Sequence, residues 1–541
     1  MYISKKAFTI NLMIQSYKKN PALAEKYDTI IIGSGMGSLT SAAILAKEGK
    51  KVLVLERHYI AGGFTHIFKR KGFEWDVGIH YIGEVQRETS VIRKLFDYIS
   101  NSELQWADMG NVYDKIVIGD KEYDFVKGVQ NFKEKMHSYF PNEKAAIDEY
   151  VRLVFEAIKT SQKFYMDKAL PPIMSKIFGG KMRKPFYKFS DKTTYEVLSS
   201  LTNNEKLIKV LSGQYGDYGL PPKESSFVMH AAVARHYFAG GSFPVGGSSE
   251  IAKTIDKVIE KAGGTIIINA EVNEIIIKNN KAIGVNMKDG KSFFAEKIIS
   301  GTGIMTTYNK LLPEKIVEKH ALKQQLKTVK RSVSHACLYI GLDGSPEELK
   351  LPKTNYWIYP DKIDHDTAVH NYLNDLDEEF PVVYISFPSA KDPDWSNRYP
   401  GKSTIDIITL LPFEGFKNWN GTKWMKRGED YNDKKEKIAQ RLLQVLYKHI
   451  PQAKGKIQHY ELSTPLTTQH FINYDKGEIY GLDHTPKRFR QQFLKPRTKI
   501  KNLYLTGQDV VTAGVAAALF SGVITTSAMT GKNIIKKVMQ K

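Results

Sequence analysis

Three glycines between residues 33 and 38 have the chemistry to hold the phosphates of a nucleotide. The β-branched run before them, residues 28–32, predicts a buried strand, and the apolar spacing of residues 39–47 predicts a helix. Between such elements Gly33 permits a tight turn, Gly35 lets the backbone approach a pyrophosphate, and the helix N-terminus offers free N–H groups. The segment therefore predicts a dinucleotide site made by Gly33, Gly35, Met36, Gly37 and Ser38.

An acid and a second pair of glycines help to identify the dinucleotide. The predicted strand at residues 51–55 is followed by Glu56, whose carboxylate is placed to bond adenosine ribose hydroxyls and to disfavour the 2′-phosphate of NADP. FAD and NAD remain. Arg57 and the paired glycines Gly62 and Gly63 come next, and such a pair lets the backbone run along the more extended FAD. We therefore predict that these residues bind FAD.

Two distant segments are predicted to complete the FAD site. A returning strand is expected to carry Val272 to the adenine, which it would meet through its backbone, and a plain extension of the sheet is the alternative. Near the C-terminus a short strand ends at Gly507, and Asp509 is placed to bond the ribityl chain or, alternatively, to cap a helix. The next helix, starting near Gly514 and Val515, would point its N-terminus at the flavin.

Two segments raise the question of a membrane. Residues 510–531 carry no charge and match the length of a bilayer span, about 20 residues, but their serines, threonines and glycines favour a buried helix packed under the cofactor. Residues 159–192 mix lysines and arginines with aromatic side chains, which suits an anionic bilayer surface. A solvated basic helix pair is the alternative. We expect a cytoplasmic protein that contacts a membrane peripherally.

The composition limits the remaining classes. A chain of 541 residues exceeds one typical domain of about 100–200 residues, so two or more domains are expected. Cys337 is the single cysteine, which excludes an intrachain disulfide and a cysteine cluster for zinc or iron–sulfur, and we predict no metal site. The net charge of +21 suits anionic partners, but no nucleic-acid recognition motif accompanies it, so nucleic acid is not an expected partner.

Further motifs carry a family resemblance, which extends from about residue 27 to residue 534. The chain resembles the retinol saturases, which belong with the carotenoid desaturases and isomerases in the amine-oxidase-like group of flavoproteins. Departures from the saturase pattern at Ser38, Phe64 and Thr65 leave the exact substrate open. The resemblance rests on residues 32–35 (IGSG), 61–63 (AGG), 78–83 (GIHYIG), 216–219 (GDYG), 246–252 (GGSSEIA) and 504–509 (YLTGQD).

The resemblance implies an α/β fold, namely a two-domain FAD flavoprotein with a Rossmann-like FAD domain and a discontinuous α+β substrate domain. An N-terminal extension, residues 1–26, is expected to precede both domains. The substrate domain is expected to present a membrane-facing surface in its first part. The expected boundaries are 27–83, 240–304 and 495–541 for the three parts of the FAD domain, and 84–239 and 305–494 for the two parts of the substrate domain.

The resemblance also implies a reaction, the reduction of a C=C bond in a retinoid, carotenoid or similar polyene by hydride transfer from flavin N5. We predict His80 as the proton donor, since imidazole titrates near neutral pH, although His80 could instead orient a loop or bond the flavin. Tyr81, Asp217 and His236 are further candidates.

Three other functions remain open at this point. They are carotenoid desaturation or cis–trans isomerisation, amine oxidation, and a non-catalytic lipid carrier that contains flavin. Residues 84–239 and 305–494 contain no second phosphate-binding turn. NAD(P)H therefore has no Rossmann domain of its own, and either NAD(P)H or a protein partner is the expected electron donor.

Overall fold

The computed structural model describes residues 14–21, 23 and 26–540. Most of the predicted N-terminal extension lies outside these residues. The strands are β1 (Gln15–Ser16), β2 (Tyr27–Ile32), β3 (Val52–Leu55), β4 (Ile67–Arg70), β5 (Phe73–Asp76), β6 (Ile82–Gly83), β7 (Trp106–Asp108), β8 (Val112–Ile118), β9 (Lys121–Val126), β10 (Gly241–Pro244), β11 (Thr265–Ile268), β12 (Val272–Lys278), β13 (Lys281–Met287), β14 (Ser292–Ser300), β15 (His335–Asp343), β16 (Asn355–Tyr359), β17 (Val383–Ser386), β18 (Lys402–Leu410), β19 (Ile457–Ser463) and β20 (Leu503–Leu505).

The α-helices range from single turns to a helix of 26 residues. They are α1 (Met36–Lys47), α2 (Val91–Ser100), α3 (Val129–Tyr139), α4 (Lys144–Ala169), α5 (Pro172–Ser190), α6 (Thr194–Ser199), α7 (Glu205–Leu211), α8 (Phe227–Tyr237), α9 (Glu250–Lys261), α10 (Ile304–Thr306), α11 (Glu314–Lys319), α12 (Leu322–Leu326), α13 (His365–Asn374), α14 (Pro388–Lys391), α15 (Trp395–Arg398), α16 (Glu429–His449), α17 (Pro465–Ile472), α18 (Pro486–Phe489), α19 (Val515–Thr530) and α20 (Ile534–Met539).

The first large sheet is assembled from the two ends and the middle of the chain. Its strand order is β1-β11-β3-β2-β14-β13-β12, and β20 pairs with β14 outside this path. Five neighbouring strands, β1, β11, β3, β2 and β14, run parallel, and so does β20 beside β14. Strands β12 and β13 form an antiparallel extension. This is the expected α/β architecture of a Rossmann-like domain. All strands of this sheet except β1 fall within the three predicted parts of the FAD domain, whereas β1 comes from the predicted N-terminal extension. The domain boundaries themselves stay predictions.

Strand β2 shows why its apolar run forms the centre of this sheet. Ile31 packs with the helices α1, α2, α9 and α19 on one face, whereas Ile30 and Ile32 pack into a second apolar cluster on the other face. Because side chains alternate across a strand, a continuous apolar run is buried on both sides. All three isoleucines are less than 5% exposed, which agrees with the predicted buried strand.

A second, seven-stranded sheet forms the body of the other domain, with the order β19-β15-β18-β17-β16-β8-β9. It is antiparallel except for the parallel pair β16 and β8. Helix α16 covers one face through Ile438, Leu442 and Leu446. Trp357 and Tyr384 belong to the cluster on the opposite face, with residues of α3, α4 and α8. The molecule is therefore an α/β flavoprotein-type fold with a discontinuous α+β second domain, as predicted.

The uncharged run near the C-terminus forms the buried helix α19, as predicted. Gly522 of α19 is packed so tightly on α1 that a Cβ atom there would lie 2.5 Å from Cβ of Thr40. Small residues permit this close packing of two helices. In the described part of the chain, no helix combines the length and the apolar character needed to cross a membrane.

Candidate active site

A cavity of about 1320 Å³ lies where the two domains meet. Ligand pockets are commonly about 300–1,000 Å³, so there is room for a large cofactor together with a second molecule. Residues of all three segments predicted to bind FAD line it. Of the predicted residues, the cavity wall contains Gly33, Gly35, Met36, Gly37, Ser38, Glu56, Arg57, Gly62, Gly63, Val272, Gly507, Gly514 and Val515.

The close packing of glycines brings these segments together. Gly33 has a φ of +86°, which confirms the tight turn predicted there. A Cβ atom on Gly63 would lie 2.9 Å from Cα of Gly35, and one on Gly37 would lie 2.7 Å from the backbone N of Gly507. Real side chains do not tolerate such distances, so larger residues would separate the segments.

Glu56, predicted to bond the adenosine ribose, is held by hydrogen bonds to the glycine turn and to the residues that follow it. One carboxylate oxygen, Oε2, accepts hydrogen bonds from Ser34 N at 2.8 Å and Ser34 Oγ at 2.7 Å, and Oε1 accepts one from His58 N at 2.7 Å. Ser34 Oγ in turn accepts a hydrogen bond from Gly62 N at 2.9 Å. A carboxylate has about four lone-pair sites, so Glu56 retains acceptor capacity for ribose hydroxyls.

The features of this end of the cavity fit FAD. Helix α1 has Gly35 at its N-cap, without a capping side chain, so its first N–H groups are available to phosphates. Gly514 has the same position at α19, whose first residues also line the cavity. Ala270 and Val272 lie on the wall near Glu56, and Arg57 Nη2 bonds the carbonyl oxygens of His470 and Phe471 at 2.7 and 2.9 Å.

The structure does not place Asp509 at the cavity wall. Its carboxylate accepts hydrogen bonds from Ile304 N at 2.7 Å and Leu482 N at 3.1 Å. Asp509 therefore fixes neighbouring chain segments, and a direct bond from this carboxylate to the ribityl chain is not favoured by its placement. It is also not the N-cap of α19, because Gly514 has that position. The adjacent Gln508 lines the cavity instead, although the motif at residues 504–509 gave no reason to prefer it over Asp509.

Ser38 replaces the third glycine of the usual turn without loosening the packing. A Cβ atom on Gly301, at the end of β14, would lie 2.0 Å from Oγ of Ser38. The close contact between helix α1 and the end of strand β14 is therefore made by Ser38 on the helix and Gly301 after the strand.

Beyond the cofactor segments the cavity becomes aromatic and apolar. Its walls come from α4, α5, α8 and the second sheet, and they carry few charges. An elongated apolar molecule would be shielded from water there. The aromatic residues of this part include Tyr165, Phe186, Tyr237, Trp357, Tyr384, Tyr480 and Phe489.

The predicted proton donor, His80, lies on the cavity wall. Its Nδ1 atom is 3.5 Å from Oδ2 of Asp406, too far for a strong hydrogen bond. Burial, with a smaller contribution from the nearby charge of Lys391, lowers the pKa of His80 to about 3. The imidazole is therefore neutral near pH 7. His236 also lines the cavity, but its Nε2 accepts a hydrogen bond from Gly83 N at 2.8 Å, and burial lowers its pKa to about 4.

Lys391 is buried behind His80 in a set of polar contacts that sequence reasoning missed. Its Nζ donates to the backbone oxygen of His80 at 2.9 Å, to Ser386 Oγ at 2.7 Å and to Asn355 Oδ1. Burial lowers the pKa of Lys391 to about 7. No local pattern reveals this cluster, because its members are far apart in the sequence.

Comparisons with known proteins agree with this geometry. Residues 39–530 match the family described as flavin containing amine oxidoreductase. The chain is 38% identical to the all-trans-retinol 13,14-reductase of Danio rerio over 529 residues, which cover 94% of this chain and 87% of that protein. It is 27% identical to prolycopene isomerase 2, chloroplastic, of an Oncidium hybrid cultivar, covering 93% and 83% of the two chains.

A solved structure shares the fold at low sequence similarity. Wild-type putrescine oxidase bound to putrescine superposes with a TM-score of 0.61 and 13% identity, covering 95% of this chain and all of that one. At this identity the likeness establishes the architecture and leaves the substrate undetermined.

Proposed function

Because the chain belongs to the flavin-containing amine oxidoreductases, in the branch that includes the all-trans-retinol 13,14-reductases, we propose that it reduces a C=C bond of a retinoid or similar conjugated polyene. It is an FAD-dependent oxidoreductase. The observation that carries the proposal is the cavity, since one space connects the segments suited to FAD with an aromatic, apolar chamber. Bound FAD supplies a centre that gives or takes a hydride at carbon.

We propose that different residues at the cofactor end of the cavity bind different parts of FAD. The N-terminus of α1 and the glycines Gly33, Gly35 and Gly63 would hold the pyrophosphate, and Glu56 would bond the ribose. Val272 would lie against the adenine. The N-terminus of α19 would face the flavin ring.

The chamber is proposed to hold the polyene extended and dry. Apolar and aromatic walls bind such a molecule by removing its surface from water, at about 25 cal/mol per Å². The role predicted for His80 stays a prediction. With its pKa near 3, the side chain carries one ring proton at neutral pH, so it would act through a hydrogen bond rather than as an imidazolium acid.

We further propose that the chamber is entered from a membrane surface. The apolar patch formed by Met166, Ile173, Met174, Ile177 and Phe178 is exposed at the end of α4 and the start of α5, and Ile173 and Ile177 are 76% and 65% exposed. Met166 and Met174 also line the cavity, so this patch adjoins its wall. The same two helices carry exposed lysines at positions 159, 163, 176, 181 and 184. An exposed apolar patch on lysine-rich helices suits an anionic bilayer, where a polyene would dissolve.

An anaerobic experiment tests the reaction. The bound flavin is reduced with dithionite, the excess is removed, and retinoids and carotenoids are added one at a time. We expect one polyene to restore the absorption of oxidised flavin while losing one conjugated double bond. Bleaching of oxidised enzyme by a more saturated polyene would establish desaturation instead.

The same material separates the remaining alternatives. Isomerisation would change the geometry of a carotenoid without net oxidation or reduction. Peroxide release with amines would favour an amine oxidase, an alternative supported by the match to the family described as flavin containing amine oxidoreductase. A flavin that changes redox state with none of these compounds would indicate a carrier.

A further inference from the structure

A single phenol hydroxyl bridges two carboxyl groups at the end of the chamber. Tyr81 Oη lies 2.8 Å from Oδ2 of Asp114 and 3.2 Å from Oδ2 of Asp217. A phenol has one hydrogen to donate, so it can satisfy only one of the two carboxyls. If both contacts are hydrogen bonds, the hydrogen of the second contact must come from a carboxylic acid.

The surrounding contacts decide which carboxyl keeps its proton. Asp114 also accepts hydrogen bonds from Gln214 Nε2 at 2.7 Å and from Asn355 Nδ2 at 2.9 Å. The orientation of the Asn355 amide is fixed by Lys391, whose Nζ donates to Asn355 Oδ1. Donors thus converge on Asp114, as a carboxylate requires, and Tyr81 is the further donor. The hydrogen between Tyr81 and Asp217 therefore belongs to Asp217.

The environment of Asp217 supports the same assignment. Burial, followed by the nearby charge of Asp114, raises the pKa of Asp217 well above its usual range. Both effects disfavour the charged form of a carboxyl group. The part of Asp217 that remains accessible belongs to the cavity wall.

Asp217 is connected indirectly to a segment at the cofactor end of the cavity. The preceding residue, Gly216, accepts a hydrogen bond through its carbonyl oxygen from Tyr480 Oη at 2.7 Å. The chain next to Tyr480 contacts the segment predicted to face the flavin, since Gln508 Nε2 lies 3.4 Å from the carbonyl oxygen of Ile479. Asp217 is thus joined through one tyrosine to the cofactor segment.

The other acids of the cavity wall have different tasks. Among the described residues, four carboxyl groups line the cavity, and two of them, Glu56 and Glu271, belong to the end suited to adenosine. Glu84 is ion-paired with Arg87 at 3.3 Å and with Arg235. Asp217 is the fourth. The histidines of this wall, including His80 and His335, have pKa values lowered by burial to about 3 and about 4.

We propose that Asp217 is the general acid of the reaction, donating the proton that completes the saturation of the polyene. The proposal rests on the reductase function proposed above. The π bond of the substrate breaks and two C–H bonds form. One new C–H bond takes a hydride with its electron pair from reduced FAD, and the FAD is oxidised by this transfer. The other C–H bond takes the proton of Asp217. The resulting Asp217 carboxylate regains a proton from water.

The protonation of Asp217 has a readout that does not depend on catalysis. An infrared difference spectrum between the FAD-loaded wild type and Asp217→Asn, recorded at about pH 7, where the reaction requires a protonated acid, is expected to contain the carbonyl band of a carboxylic acid. The matched control is Asp256→Asn, which removes another buried aspartate on α9, away from the cavity. Burial raises the pKa of Asp256 to about 7, so the band that its loss removes is expected to shrink as the pH rises through 7 and to be absent at about pH 9. Absence of the band in the Asp217 difference spectrum would overturn the proposal.

Single-turnover reduction of the polyene by pre-reduced enzyme tests the catalytic step. We expect Asp217→Asn to slow the loss of conjugation by about 10²–10⁴-fold, with FAD binding unchanged, and Asp217→Glu to recover part of the rate. A solvent deuterium isotope effect should accompany the wild-type reaction, and Asp256→Asn should react like the wild type.

The outcomes separate the two proposals. If the wild type reduces a polyene and Asp217→Asn does so equally fast, Asp217 is not the acid, although the reductase function stands. If no polyene is reduced by the wild type, the reductase function fails, and the role of Asp217 falls with it.

Discussion

Gly37 and Gly507 pack so closely that a Cβ atom on Gly37 would lie 2.7 Å from the backbone N of Gly507. The start of α1 and the segment after β20 thus meet with no room for a side chain, and both line the cofactor end of the cavity.

Gly37→Ala is therefore expected to weaken FAD binding and to destabilise the folded chain by about 1–3 kcal/mol, since overpacking forces the backbone segments apart. The flavin-to-protein ratio after purification and the thermal unfolding temperature measure these effects. Gly180→Ala is the control, because Gly180 lies on α5 with open space around its Cβ position. An alanine at position 37 that retained full flavin content would contradict the packing argument.

The hydrogen bonds of Glu56 lead to a second prediction. Glu56→Ala leaves the N–H groups of Ser34 and His58 without their carboxylate partner, at a cost of about 1–3 kcal/mol. We expect the Kd for FAD to rise by about tenfold or more, measured by the quenching of flavin fluorescence. Glu271→Ala is the comparison, because its carboxylate instead bonds the exposed Lys288 Nζ at 2.9 Å. Equal effects of the two substitutions would argue against a special role for Glu56.

The apolar patch gives a prediction about membranes. The double substitution of Ile173 and Ile177 by Asp should weaken binding to phosphatidylserine-containing vesicles by at least about tenfold, since burying one such side chain contributes about 1.5–3 kcal/mol. Vesicle co-sedimentation measures the effect, and binding of the wild type should fall as salt screens the lysines. Phe294→Asp is the control, because Phe294 is 54% exposed on β14, outside the patch. If the wild-type protein did not co-sediment with anionic vesicles, the docking proposal would be refuted.

Asp256 makes stability depend on pH. Neither of its carboxylate oxygens has a hydrogen-bond partner among the residues described, and burial raises its pKa to about 7. Between about pH 4 and pH 7 the folded state binds more protons at this site than the unfolded state, so its contribution to stability falls as the pH rises.

Asp256→Asn removes that dependence. The free energy of unfolding of the variant should exceed that of the wild type at pH 8, by at most about 4 kcal/mol, and the gain should shrink at pH 5. Urea unfolding at the two pH values measures the difference. A gain of the same size at both values would show that the charge of Asp256 is not its source.

Local patterns predicted a tight turn at Gly33 and a buried helix after Gly514, and they selected residues that the fold brings to one cavity. Each of these features involves residues that are neighbours in the sequence, namely the turn at Gly33, the acid at Glu56 and the helix after Gly514. Their chemistry can therefore be inferred without knowing the three-dimensional structure. Asp509 shows the limit of such reasoning. A carboxylate that follows a strand can point into the cavity or away from it. The carboxylate of Asp509 points away because the N–H groups of Ile304 and Leu482, which are distant in sequence, donate hydrogen bonds to it.

The polar end of the chamber was beyond prediction for a related reason. Tyr81, Asp114 and Asp217 come from three separate parts of the chain, and their bridge depends on how β8 meets the loop before α8. The sequence already made Asp217 a candidate. Its proton could be assigned only after the structure showed that Asp114 accepts hydrogen bonds from Gln214 and Asn355.

The strand β14 pairs with β2 on one side and with β20 on the other. A nascent chain emerging from the ribosome would therefore form β2, α1 and β14 long before β20 and α19 exist to cover them. Until β20 and α19 leave the ribosome, Ile298 and Ile299 of β14 would lack the residues of β20 and α19 that belong to their apolar clusters, and the FAD site would be incomplete. Such non-local pairing is slow and leaves apolar surface exposed to aggregation, so chaperones should raise the yield of this protein most strongly before β20 and α19 have been synthesised, and free FAD should do so once they have.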